Sequence, residues 1–226
     1  MPNNCLNRVT ASKEVLDALY NYKKKEVTYK KLIPMPKRLN LTEGSIKNSA
    51  ITYAFLQKSE KERIRIVKML CNKKLKETKT LFQNFLKYQD NFEELKKMNK
   101  EFKPKDEEIA LKIRTFKQLG EIYLKNIAEY GYATWYEWAI NKWGTKWDAY
   151  DSIGTPESGE LEFLSAWNPP NGIVKKLFEK FPEEKINWYY EEPGMDFAGN
   201  YISDGNGNYI DVPCPVPNYN EEEEEE

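Results

Sequence analysis

The stretch ATWYEWAINKWGTKWDAY, residues 133–150, carries Trp135, Trp138, Trp143 and Trp147, four of the chain's six tryptophans, with Lys142, Lys146 and Asp148 among them. Indole rings beside ammonium groups suit base stacking and phosphate pairing, where each stacked ring contributes about 1–3 kcal/mol. The same rings are good core material, and each Trp→Ala in a core costs about 3–5 kcal/mol. On a helix Trp135 and Trp138 share one face while Trp143 lies around another. Core and ligand face therefore both stay open. On the ligand reading Trp143 and Trp147 stack a nucleotide base, and Lys142, Lys146 or Lys175 pairs its phosphate.

Other chemistry is narrowed by what is missing. The chain has no histidine and three cysteines. A Ser-His-Asp triad, a Cys-His pair and the usual zinc sites are excluded. Asp148, Glu191, Glu192 and Asp196 near lysines are the remaining acid, base or Mg²⁺ option, against the commoner reading of exposed loop charge. No glycine-rich turn sits between a strand and a helix at phosphate-loop spacing. The reading leans away from catalysis, with no catalytic residue, metal centre or cofactor assigned.

Charge is more informative. Residues 1–126 hold 29 Lys+Arg against 15 Asp+Glu, and residues 127–226 hold 6 against 21, six of the latter being Glu221–Glu226. Like-signed surface repels itself and is tolerable where it faces something negative. The candidates are nucleic acid, a host nucleoprotein, or the chain's own acidic half. The polyanion-facing residues are Lys73, Lys74, Lys76, Lys79, Lys87, Lys96, Lys97 and Lys100, and the terminal glutamates are expected to screen them from weak, unspecific binding.

These groups need elements to position them. NNCLNRVTAS reads as a strand ending at Ser12, which then caps a helix through KEVLDALYNYKK. Pro34 and Pro36 make LIPMPKRLN an extended or turn segment. From Ser59 to about Ile127 the pattern is helical. Ser59 and Glu62 form a capping box, a second helix spans roughly 75–99, and a third after Pro104 carries Ile109, Ile113, Phe116, Gly120, Tyr123 and Ile127 on one face. A further capping box at Thr134 and Glu137 starts a short helix that Gly144 ends. Then the period changes to two: LEFLSAW and INWYYE read as strands around a helix in NPPNGIVKKLFEKFP, and SDGNGN turns a final hairpin. The sum is an α+β fold, a ferredoxin-like antiparallel sheet with helices on one face, interrupted by a largely helical insert.

The segments MPNNCLNRVT, LIPMPKRL, YGYATWYEWAINKWGTKWDAY, AWNPPNGIVKKLFEKFP and YYEEPGMDFAGNY together resemble the YubB-type ferredoxin-like family carried by phages and plasmids. The resemblance skips the insert. It implies the ferredoxin-like fold and a mobile-element setting, and carries no catalytic residue. Expected boundaries are 1–56 for the first part of that domain, 57–127 for the basic insert, 128–213 for the remainder, and 214–226 for an acidic, disordered tail. The opening residues show no basic-then-apolar leader and no apolar run reaches about 18 residues, so a soluble protein of bacterial cytoplasm with no membrane partner is expected. The leading functional expectation is a binding protein that engages an acidic host target, in the manner of an anti-CRISPR-like counter-defence inhibitor. The alternatives are a nucleotide-signal sponge and a Mg²⁺-dependent nucleotide or phosphodiester enzyme.

Overall fold

The computed structural model describes residues 3–72, 83, 85–87 and 92–218. The chain divides into two compact units, residues 1–34 with 139–226, and residues 35–138. The division falls at 34/35 and 138/139, against boundaries expected at 56/57 and 127/128.

The first unit is built on a six-stranded antiparallel sheet in the order β4-β5-β1-β6-β7-β8. Its strands are β1 (Asn4–Thr10), β4 (Tyr150–Thr155), β5 (Glu160–Ala166), β6 (Asn187–Glu192), β7 (Phe197–Ser203) and β8 (Tyr209–Cys214). The β4–β5 hairpin is followed by helix α8 (Asn171–Lys180) and β6. The central run β4-β5-β1-β6 is thus the ferredoxin-like order, and β7 and β8 extend it beyond β6. Alternation fixes the faces. Cys5, Asn7 and Val9 of β1, Leu161, Phe163 and Ser165 of β5, and Trp188 and Tyr190 of β6 are buried, whereas Arg8, Glu160 and Glu162 are on the other side, where Arg8 pairs with Glu162 at 2.8 Å.

Asn7 is polar yet fully enclosed, and every bond it needs is present. It donates to Cys5 O at 3.0 Å and Ser165 Oγ at 2.8 Å, and it accepts from Trp188 Nε1 at 3.0 Å. Such a group costs stability only when unsatisfied.

The opening helix is shorter than expected. Helix α1 (Lys13–Asp17) ends before Tyr20, and the tyrosine-rich continuation forms a small hairpin of β2 (Tyr20–Asn21) and β3 (Glu26–Val27) with Lys25 at φ 56°. β-Preferring residues at 20, 22 and 27 outweigh helix periodicity there. The hairpin has a use: Val27 N donates to Ser152 Oγ at 3.0 Å, which covers part of the β4 edge. The last strand runs through Cys214, one residue into the expected tail; residues 219–226 lie outside the described range.

The second unit is helical. Its elements are α2 (Ser45–Leu56), α3 (Glu60–Asn72), α4 (Phe92–Glu101), α5 (Asp106–Ala110) and α6 (Phe116–Tyr130). Helix α7 (Trp135–Lys142) leads back to the sheet unit. The third helix of the sequence reading is two, because Lys112 takes a left-handed φ of 61° and Thr115 starts α6 with a capping box to Gln118. One core gathers Leu41, Ala50, Ile51, Tyr53, Ala54, Leu70, Leu95, Phe116, Leu119, Tyr123 and Ile127. Its densest crossing is α2 on α6, where Gly120 leaves no room for a side chain: a Cβ there would lie 1.9 Å from Ala50 O and 2.7 Å from Ala54 Cβ.

Candidate functional site

The four tryptophans of 133–150 separate cleanly by environment. Thr134 accepts from Tyr136 N at 3.4 Å and starts α7; Gly144, at φ 86°, ends it as expected. Trp138 and Trp143 are buried. Trp143 donates its indole N–H to Ile33 O at 2.9 Å and meets Tyr29 edge-on at 5.7 Å. This corrects the expectation for Trp143, which has no face to offer a ligand. Tyr29 is itself enclosed, and burial, reinforced by nearby Asp148, pushes its phenol well above the ordinary range.

Trp147 is 37% exposed. The Lys146 ammonium lies over its ring at 4.5 Å, and Tyr150 approaches edge-on at 6.4 Å. Thr145 Oγ1 donates to Ala166 O at 2.9 Å and Asn168 Nδ2 to Gly144 O at 2.7 Å. These two bonds tie the Trp147 loop to the end of β5, where Trp167 is 45% exposed. Trp167 holds a φ of 74°, a conformation costing about 1–3 kcal/mol for a non-glycine residue. The sequence reading sets Trp167 in the LEFLSAW strand on the side of Leu161, Phe163 and Ser165; it lies just past the end of β5 and is exposed, because Asn-Pro-Pro follows it and the chain must turn there.

Lys142 is exposed at the end of α7, and Lys175 pairs with Glu179 at 3.9 Å along α8. The structure therefore brings Lys146 and Trp147 together and engages Lys175 along its own helix. Asp148 is a structural carboxylate. It accepts from Thr28 Oγ1 at 2.8 Å and Tyr29 N at 2.7 Å, and pairs with Lys30 at 3.1 Å. Glu191 and Glu192 are both buried. Glu191 accepts from Tyr189 OH at 2.6 Å, and Glu192 accepts from Gly194 N at 3.2 Å. No cluster of metal-ligating side chains occurs among the described residues.

In the helical unit, Lys73, Lys74, Lys76 and Lys79 lie outside the described residues. Lys87 and Lys100 are exposed. Lys96 pairs with Glu93 at 2.6 Å and Lys97 with Glu101 at 3.9 Å, exposed pairs within α4 that carry little energy. A different set is more coherent. Lys61, Arg65 and Lys68 recur at i, i+4 and i+7 on α3, all exposed and without an ion pair among the described residues. The Ser59–Glu62 capping box holds the start of that helix: Ser59 N donates to Glu62 Oε2 at 3.1 Å, and Glu62 N to Ser59 Oγ at 3.4 Å. The Ser59 hydroxyl also donates to Glu62 Oε2 at 2.7 Å, and this bond, with the one from Ser59 N, keeps the Glu62 carboxyl below its ordinary pKa.

Beside the stripe runs an open groove of about 440 Å³, lined by Phe55, Glu60, Arg63, Ile64, Val67, Lys68 and Phe85. Ile64 and Val67 share one face of α3 and line this groove, with Ile64 49% exposed.

Strand order, register and inward face together define an α+β ferredoxin-like domain, whose sequence is interrupted between β3 and β4 by a cationic helical unit. Residues 142–226 match the family model described as the ferredoxin-like domain in Api92-like protein. Across the whole chain, the crystal structure of protein api92 from Yersinia pseudotuberculosis aligns with a TM-score of 0.42 at 11% identity, covering 96% of this chain and 99% of that one. No curated protein matches the sequence. No helix among the described residues is long and apolar enough to cross a membrane.

Proposed function

We propose that the protein is a binding protein that engages an acidic host target through its lysine-rich helical unit. The observation that carries this reading is the partition of charge between the two units. Residues 35–138 hold 22 Lys+Arg and 14 Asp+Glu, whereas the remainder holds 13 and 22. The Lys61–Arg65–Lys68 stripe is the sharpest local expression of it, since exposed cations with no ion pair among the described residues leave much of their potential available to another molecule. In the mobile-element setting implied by the sequence resemblance, the role is counter-defence, and its specific form is an anti-CRISPR-like occupation of a nucleic-acid channel in a host nucleoprotein.

The test is a titration of the full chain with labelled single-stranded RNA, followed by anisotropy between 50 and 200 mM salt. Affinity is expected to fall steeply with salt. Replacing Lys61, Arg65 and Lys68 together by Gln is expected to flatten the log–log slope by about 2, at roughly 0.7 per lost contact. Absence of binding at the lowest salt, or a slope unmoved in the variant, overturns the reading.

A second reading has its own observation, the Lys146 ammonium poised over the half-open Trp147 ring. It supports a nucleotide stacked on Trp147 with a phosphate on Lys146 or Lys142. Quenching of tryptophan fluorescence by nucleotides, lost in Trp147→Ala, is the expected result; equal quenching in both proteins removes it.

A further inference from the structure

We infer that the groove along α3 is a docking site for an acidic amphipathic helix of a partner protein. This rests on the reading that the helical unit meets an acidic target, and goes beyond it by naming a protein segment where charge alone suits any polyanion.

Ile64 and Val67 project along one side of α3, and Phe55 and Phe85 close the floor, their rings meeting edge-on at 5.9 Å. An apolar floor gives nothing to a phosphodiester backbone, which recognises cations and hydrogen-bond donors. It is what the apolar face of an amphipathic helix requires, with anchors at i, i+3 or i+4, and i+7. Helix α3 has 13 residues, about 20 Å at 1.5 Å per residue, so it can seat two to three turns of such a segment.

The rim selects the sign of the partner. At 100° per residue, Lys61, Arg65 and Lys68 line one bank of the Ile64–Val67 strip and Arg63 stands on the other. Of the acidic groups on this helix, Glu62 is held by Ser59 at the cap, and Glu60 faces the groove at its N-terminal end. A docked helix with carboxylates flanking its apolar stripe meets cations on both banks, whereas one flanked by lysines is repelled. Ile64, half exposed in the free chain, is the natural anchor contact, because central apolar residues surrounded by polar ones carry most of the energy of such interfaces.

The experiment uses the full chain and four labelled probes. The first is a 16-residue peptide with Leu or Phe at helical i, i+3, i+4, i+7 spacing and glutamates on the flanks. The second has the same composition with the apolar residues scattered, the third has lysine in place of glutamate, and the fourth is single-stranded RNA. The expected result is saturable binding of the first peptide, at least about ten-fold tighter than the scattered and lysine versions. Binding should weaken by a similar factor both in Ile64→Ser and in Arg65→Glu with Lys68→Glu. Circular dichroism confirms that each variant folds, and because Ile64 is half exposed its replacement does not open the core.

Equal binding of the ordered and scattered peptides, or indifference to Ile64→Ser, overturns the groove and leaves only a charged surface. Loss of RNA binding with peptide binding retained counts against the nucleic-acid form of the functional reading while leaving the groove standing. Failure of the charge-reversed variant to change any probe overturns both.

Discussion

At the scale of single residues, environment decides what a side chain can do, and the tryptophans show it most directly. Trp143 and Trp147 are four positions apart with the same chemistry, yet one ring is enclosed with its N–H bonded and the other stands beneath a lysine. Trp143→Ala is expected to cost about 3–5 kcal/mol in urea unfolding, whereas Trp147→Ala should stay within about 1 kcal/mol. Similar losses for the two would contradict the assignment. The spacing of the rings was readable in the sequence; the burial of Trp143 was not, since its partner Ile33 lies 110 residues away along the chain. Lys61, Arg65 and Lys68 follow plain helical spacing, yet the sequence reading singles out the lysines from Lys73 to Lys100 instead, because nothing in the letters says which cations are left without an ion pair among the described residues. The cysteines differ in the same way. Burial pushes the Cys5 thiol up to about 12, while Cys71 is exposed. Iodoacetamide at pH 8 should therefore modify Cys71 and spare Cys5 until the protein unfolds, with mass spectrometry as the readout. Because an unfolded cysteine ionises near about 8.5, the native state holds the Cys5 proton more tightly. Its contribution to stability is complete below that value and declines as pH rises toward 12. Cys5→Ala should remove this part of the alkaline loss.

At the scale of elements, close approach between backbones matters more than hydrophobic patterning. Gly120→Ala adds one methyl group to α6 and gains up to about 1 kcal/mol in helix propensity. The methyl would sit 1.9 Å from the Ala50 carbonyl oxygen, and overpacking of this kind costs about 1–3 kcal/mol and sometimes more. The clash is fixed backbone rather than a flexible side-chain end, so it wins. A net loss of at least about 1 kcal/mol is expected in thermal or urea unfolding, and a variant as stable as the parent would show that the crossing is looser. The same crossing explains what the sequence concealed. Helix α2 buries Ser49, Ala50, Ile51, Thr52, Tyr53, Ala54 and Phe55, and a helix enclosed on nearly all sides has no amphipathic period to detect. Strand β4 was hidden for the opposite reason. It is an edge with a register shift between Tyr150 and Ile153, Asp151 at φ 49° and mostly exposed side chains, so alternation fails in it. Where one face is buried and the other solvated, as in β1 and most of β5, period two was legible and the ferredoxin-like order followed.

At the scale of the whole molecule, the charge segregation that the sequence shows by halves becomes a segregation by folding unit, and this makes the terminal glutamates a testable part of function. The chain carries a net −1, and removing Glu221–Glu226 changes it to +5. If those six carboxylates act as an internal polyanion, they compete with any external one for the cations of the helical unit, and their deletion should raise unspecific RNA affinity by about three- to ten-fold at 50 mM salt. The gain should fade as the Debye length contracts, from about 14 Å at that concentration to near 3 Å at 1 M. A deletion that strengthens RNA binding without altering the groove peptide's affinity would assign the glutamates to suppressing diffuse charge contacts while sparing apolar recognition. An identical salt-dependent curve for the full and shortened chains would rule out such competition and leave selectivity to the helical unit itself.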